Sequence, residues 1–124
     1  YEVATNQPPG GGLMILEMLN ILENFDLISM GHNSASYIAV VSEAMKIATI
    51  DKDQRMGDPK YIDVPIEELS SKAYGKKMAD RIKRGKKADV KRINAGNLES
   101  KDTTHLVAAD SEGNVVNLTH SLGS

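Results

Sequence analysis

The sequence has 124 residues, enough for one ordinary domain or a piece of a larger one. It contains no cysteine, which excludes disulfides, thiolate-bound zinc, iron–sulfur clusters and a cysteine nucleophile. Seventeen acidic against fifteen basic residues leave a formal charge of −2, so bulk electrostatics does not mark a nucleic-acid binder, and no apolar run reaches the ~20 residues of a membrane-spanning helix. Aromatic residues are 4% of the chain, with one phenylalanine, Phe25, and no tryptophan. Core volume has to come from Leu, Ile, Val and Met, a first hint of a piece of something larger. The start carries no leader pattern, and Tyr1 in place of methionine reads as a processed or cut start.

Residues 1–5 alternate apolar and polar and suit a short strand. Pro8-Pro9-Gly10-Gly11-Gly12 then stops any regular element. The glycines fit neither phosphate-binding pattern, G-x-x-x-x-G-K-[ST] or G-x-G-x-x-G, and read as a loop entering a helix. Leu13 to Phe25 is the clearest helix. Ile15, Met18, Leu19 and Leu22 form one apolar stripe, widened by Leu16 and Phe25, and Glu17, Asn20, Glu23 and Asn24 take the other face. That helix should present more apolar surface than this chain alone covers, leaving an exposed patch or a self-association that hides it.

Asp26 to His32 is a connection. Asn33 or Ser34 caps a second helix running to about Met56, with Tyr37, Val40, Val41, Ala44, Met45 and Ala48 as its stripe. Its charged tail, Asp51 to Arg55, lacks the glycine and glutamate of a calcium loop and reads as a solvated helix end. After Gly57-Asp58-Pro59 comes a short helical turn at Ile66–Leu69. A third helix follows within 71–84, with Ala73, Tyr74, Met78 and Ile82 apolar and Gly75 weakening it. Basic residues crowd positions 72–92, where Asp80 and Asp89 are the acids. Without aromatic residues beyond Tyr74 there is no stacking platform for bases, and the cluster reads as a solvated helix end and loop rather than a nucleic-acid site. The expected organisation is a helical region 1–84, a basic flexible linker 85–102 and a β-hairpin region 103–124.

The last segment changes character. Residues 104–109 and 115–122 are strand-like, and Asp110-Ser111-Glu112-Gly113-Asn114 between them is turn chemistry. An isolated hairpin is marginal in water, so this one calls for further strands. The fold class is therefore α+β: helices followed by a hairpin.

No Ser-His-Asp triad can be assembled, and His32, His105 and His120 fall in no metal-binding spacing. The sharp feature is Asp102-Thr103-Thr104-His105, where a linker runs directly into a threonine at the start of a strand. An autocatalytically processed hydrolase needs that arrangement. The threonine hydroxyl attacks the carbonyl before it, and the cleaved chain exposes an α-amine of pKa ~8 that can serve as the local base.

Thr103-Thr104-His105-Leu106-Val107, Asp110, Gly113-Asn114 and Leu118-Thr119 resemble the start of the small subunit of γ-glutamyltransferases (γ-glutamyltranspeptidases). Pro8-Pro9-Gly10-Gly11-Gly12 is similar to the family's Pro-Pro-Ser-Ser-Gly-Gly loop. Met18 to Glu23 with Phe25-Asp26-Leu27 resembles its following helix. Gly31-His32-Asn33-Ser34-Ala35, Glu43-Ala44-Met45, Asp53, Gly57-Asp58-Pro59, Val64-Pro65 and Lys72-Ala73-Tyr74 occur in the family's order.

The resemblance implies part of an N-terminal nucleophile hydrolase, an αββα sandwich, spanning the end of the large subunit and the start of the small one. It implies cleavage between Asp102 and Thr103, with Thr103 as nucleophile. Ser121 matches a family threonine whose hydroxyl supports the nucleophile. It calls for no cofactor and no metal. The implied partners are a small-molecule γ-glutamyl amide, an acceptor amino acid, peptide or water, and the missing parts of the same parent chain. The implied location is periplasmic, secreted or at the cell surface. Substrate-binding groups would lie outside these residues, so the 124-residue piece alone is expected to be inactive. Gly123 stands where typical members have an asparagine that binds the substrate's α-carboxylate. This leaves room for a related amidase, such as a β-lactam acylase or γ-polyglutamate-type hydrolase, or for a non-catalytic paralogue.

Overall fold

The computed structural model describes residues 2–90 and 103–121. The chain divides into two compact units, Tyr1–Lys91 and Arg92–Ser124. The first is helical: α1 (Gly12–Leu22), α2 (Leu27–Met30), α3 (Ala35–Arg55), α4 (Ile66–Leu69) and α5 (Lys72–Lys83). The second holds β1 (Thr103–Ala109) and β2 (Val115–Ser121), paired antiparallel. The helices and hairpin lie where the sequence places them, and the α+β class holds. Residues 2–5 are irregular, not the expected strand, and no strand among the described residues pairs with them. Alternation alone does not make a strand, because its N–H and C=O groups need a ladder partner.

Helix ends follow local chemistry. The Ser34 hydroxyl accepts from the Tyr37 N–H at 3.1 Å and caps α3, and the Ser71 hydroxyl accepts from the Tyr74 N–H at 3.0 Å and caps α5. Each satisfies a first-turn donor that the helix itself cannot. Asp26 does the same for the single turn of α2, inside the expected connection, by accepting from the Ser29 N–H.

The core is Leu13 and Ile21 from α1, Ala44 and Ile47 from α3, Leu69 from α4, and Tyr74, Met78 and Ala79 from α5, joined by Val64 and Ala88. The face that α1 buries differs from the expected one. Leu13, Glu17, Asn20 and Ile21 point inward, whereas Ile15 and Leu19 are 48% and 44% exposed. Two polar residues are thus used inside and two large apolar ones are left outside. The expected exposed apolar surface on this helix is present, with Leu16, Leu19 and Val3 lining one open cleft.

Asn20 explains part of the inversion. Its side-chain amide donates to the Ser70 carbonyl at 2.7 Å and its oxygen accepts from Lys72 Nζ at 2.7 Å. The same lysine pairs with Glu23 at 2.7 Å. The junction between α1 and the start of α5 is therefore polar and satisfied. Gly75 serves this approach: a Cβ there would lie 2.5 Å from the Asn20 carbonyl oxygen. The glycine that weakens α5 as a helix is what lets it meet α1.

Residues 91–102 of the expected linker lie outside the described residues. Within its first part, Ala88 is buried and its N–H donates to Glu43 Oε2 at 2.8 Å. Burial opposes ionisation of Glu43, but Lys46 and this N–H outweigh it and hold the carboxyl below its ordinary value.

Candidate active site

The hairpin starts from a turn that builds itself. The Asp110 carboxylate accepts from the N–H groups of Glu112 and Asn114, both at 2.9 Å, and from the Asn114 side-chain amide at 2.7 Å. These bonds, the Asn114 side chain foremost, hold Asp110 below the ordinary aspartate value. Gly113 has φ +88°, a left-handed conformation that glycine adopts without strain. The strands that leave this turn are in fixed register: Ala109 opposite Val115, Val107 opposite Asn117, His105 opposite Thr119, and Thr104 opposite His120.

That register brings the sequence-predicted site residues together. Thr103 opens β1, Ser121 closes β2, and the two are direct partners. Two positions further along the same strands, His105 Nδ1 and Thr119 Oγ1 lie 2.8 Å apart, tying a ring to a hydroxyl across the ladder. The pairing sets two hydroxyl-bearing residues opposite each other at the open end of the hairpin. Asp102 and Gly123 lie outside the described residues. Leu106 and Leu118 oppose each other, as do Ala108 and Val116, and both leucines are more than half exposed.

In the helical unit, the remaining candidate residues are engaged in ordinary contacts. The His32 ring meets Tyr37 edge-on with centroids 5.7 Å apart. Lys72 and Lys76, from the basic run, are engaged in ion pairs, and Lys83 lies over the Phe25 ring at 5.1 Å. Lys77, Arg81, Arg84 and Lys86 line an open basic cleft. Among the described residues no group of three or more His, Asp or Glu is placed to hold a metal ion. No helix among them is long and apolar enough to cross a membrane.

A second polar cluster escaped the sequence reading. Asp51, read as part of a solvated helix end, is buried. It accepts from the Tyr74 hydroxyl at 2.5 Å and pairs with Arg55 at 3.5 Å. Arg55 reaches on to Glu68 and lies over the Tyr74 ring at 5.8 Å. Glu17, read as solvent-facing, is fully buried beside Asp51, with neither carboxyl oxygen hydrogen-bonded. Burial, and then the Asp51 charge, push its carboxyl up to about 8. Burial first, and the bond to Asp51 second, raise the Tyr74 hydroxyl as well. One signal was present: positions 13, 17, 20 and 21 have helical spacing, but a glutamate and an asparagine occupy two of them.

The gamma-glutamyltranspeptidase family model matches residues 1–124. The glutathione hydrolase proenzyme of Escherichia coli strain K12 is 40% identical over 128 residues, covering 100% of this chain and 22% of that protein. The acylase ACY 1 proenzyme of Pseudomonas sp. strain SE83 is 37% identical, covering 98% of this chain and 22% of its own length. The crystal structure of Helicobacter pylori gamma-glutamyltranspeptidase superposes with a TM-score of 0.64 at 36% identity, over 66% of this chain and 24% of that one. The chain thus spans about a fifth of the curated relatives it matches. With its helices, hairpin and full-length family match, the chain belongs to the gamma-glutamyltranspeptidase family.

Proposed function

We propose that the protein containing this chain is a threonine-nucleophile amidase made as a proenzyme, which cleaves itself between Asp102 and Thr103 and then transfers or hydrolyses γ-glutamyl groups of glutathione-type amides. The observation that carries the reading is Thr103 at the start of β1, in a chain matched throughout by this family. The word proenzyme in its relatives' names fits processing, and glutathione hydrolase names the donor class.

In processing, the Thr103 hydroxyl oxygen adds to the Asp102 carbonyl carbon. The peptide C–N bond breaks, the nitrogen gains a proton, and an ester joins the two parts. Water hydrolyses that ester to an Asp102 carboxylate and a Thr103 with a free α-amine. At pKa ~8 about a tenth of this amine is neutral at pH 7 and about half at pH 8, and the neutral form can take the hydroxyl proton during attack on a donor amide. The donor's amine leaves with a proton, and the acyl-enzyme passes to water or to an acceptor amine. An uncut Thr103 has the hydroxyl but no α-amine, so processing must precede turnover.

Intact mass and denaturing gels on the whole protein test this. The wild type should yield two chains split before Thr103. Thr103→Ala should remain one chain without turnover, and Thr103→Ser should process slowly because the hydroxyl survives. A Thr103→Ala protein that still splits there, or still turns over a γ-glutamyl amide, overturns the assignment. A second reading, an acylase with the same machinery, is favoured by the 37% identity to an acylase proenzyme and by Gly123. Parallel assays with a γ-glutamyl anilide and an acylated β-lactam separate the two.

A further inference from the structure

We propose that Glu17 is a proton-operated latch: α1 docks on α3 and α5 with Glu17 as the neutral acid, and rising pH loosens that docking. The geometry is a carboxyl at 0% exposure whose two oxygens accept no hydrogen bond, set beside a second buried carboxylate, Asp51, to which a protonated Glu17 can donate. From α3, Asp51 and Arg55 face it; from α5, Tyr74 does; α4 contributes Glu68, which reaches the cluster through Arg55. On another part of α1, Glu23 pairs with Lys72 of α5.

Asp51 is already committed. It holds the Tyr74 hydroxyl and Arg55, and Arg55 is shared with Glu68. The local acids Glu17, Asp51 and Glu68 outnumber the one guanidinium. A charged Glu17 would therefore be a buried carboxylate without a hydrogen bond, next to a like charge, a costly combination. A proton on Glu17 removes that charge and leaves α1 packed. Release of α1 lets the carboxyl reach water, where it ionises at its ordinary value.

The sign follows from proton counting. Docked, Glu17 holds its proton to about 8; released, to its ordinary 4.5. Between those values the docked state binds more protons, so docking is strongest at or below about 4.5, weakens as pH rises, and levels off above about 8. One proton per opening makes the opening constant rise up to about tenfold per pH unit within that window.

The test is amide hydrogen exchange of the α1 peptides in the whole protein from pH 5 to 9, corrected for the intrinsic exchange rate. Wild-type protection should fall by up to about tenfold per pH unit and then flatten. Glu17→Gln, which keeps the shape and cannot ionise, should lose most of that slope. Asp51→Asn, which removes the facing charge, should shift Glu17's protonated-to-ionised change to lower pH and narrow the window. A flat wild-type profile overturns the proposal without any variant, as does a Glu17→Gln or Asp51→Asn profile with the wild-type slope and window.

Discussion

Thr103 and Ser121, eighteen positions apart in the chain, stand directly opposite each other across the β1–β2 ladder. Opposed residues in an antiparallel pair have Cα atoms about 4.5–5.5 Å apart. The hairpin thus converts a sequence interval into a neighbourhood. Its register is set by the Asp110–Asn114 turn, whose hydrogen bonds fix which residues meet. A one-residue slip would separate the two hydroxyl residues.

If the Ser121 hydroxyl supports Thr103, removing it should slow processing and turnover together. We predict that Ser121→Ala reduces both rates about tenfold, the equivalent of one hydrogen bond of about 1.4 kcal/mol. Ser121→Thr keeps the hydroxyl and should retain most activity. Single-turnover cleavage and steady-state rates on the whole protein check this. Unchanged rates in Ser121→Ala would remove the residue from the mechanism.

Gly75→Ala sets two effects against each other. Alanine is the better helix former by about 1 kcal/mol. Its Cβ, however, would lie 2.5 Å from the backbone oxygen of Asn20, and backbone cannot swing aside. Overpacking of this kind costs about 1–3 kcal/mol, so the steric effect should win. The expected outcome is a net loss of stability in urea unfolding. A stabilised Gly75→Ala protein would mean that α1 and α5 meet less closely than described.

Ile21 and Ile28 test the burial pattern with the same chemistry at two sites. Ile21 is 0% exposed at the centre of the core, and Ile28 is 94% exposed on α2. Ile21→Ala should cost about 2–5 kcal/mol. Ile28→Ala should change stability by less than about 0.5 kcal/mol. Denaturation midpoints of the two variants, measured side by side, provide the check. Equal effects would contradict the placement of α1.

The positions of the elements were legible because their signals are local. Serine caps at Ser34 and Ser71, helical spacing of apolar residues, and an Asp-x-x-Gly-Asn turn act within a few residues of themselves. The family motifs were legible too, since they are contiguous runs. The position of Thr103 at the start of a strand could be read for the same reason. A strand at residues 2–5 could not be inferred safely, because strand formation depends on a partner supplied from elsewhere.

Sequence alone determined where the helices and the hairpin lie and which residues bracket the turn, and it singled out Thr103 and Ser121 as the residues to test. Tertiary structure decided which way α1 faces. Its apolar stripe, Ile15 and Leu19, is left half-exposed, while Glu17 and Asn20 turn inward toward Asp51, Ser70 and Lys72. The physical reason is that periodicity defines a helix's faces without naming its neighbours. The packing of α3 and α5 selects the buried face; residues about fifty positions away supply the polar partners that make an asparagine tolerable there, while burial, and then the nearby Asp51 charge, raise the Glu17 carboxyl.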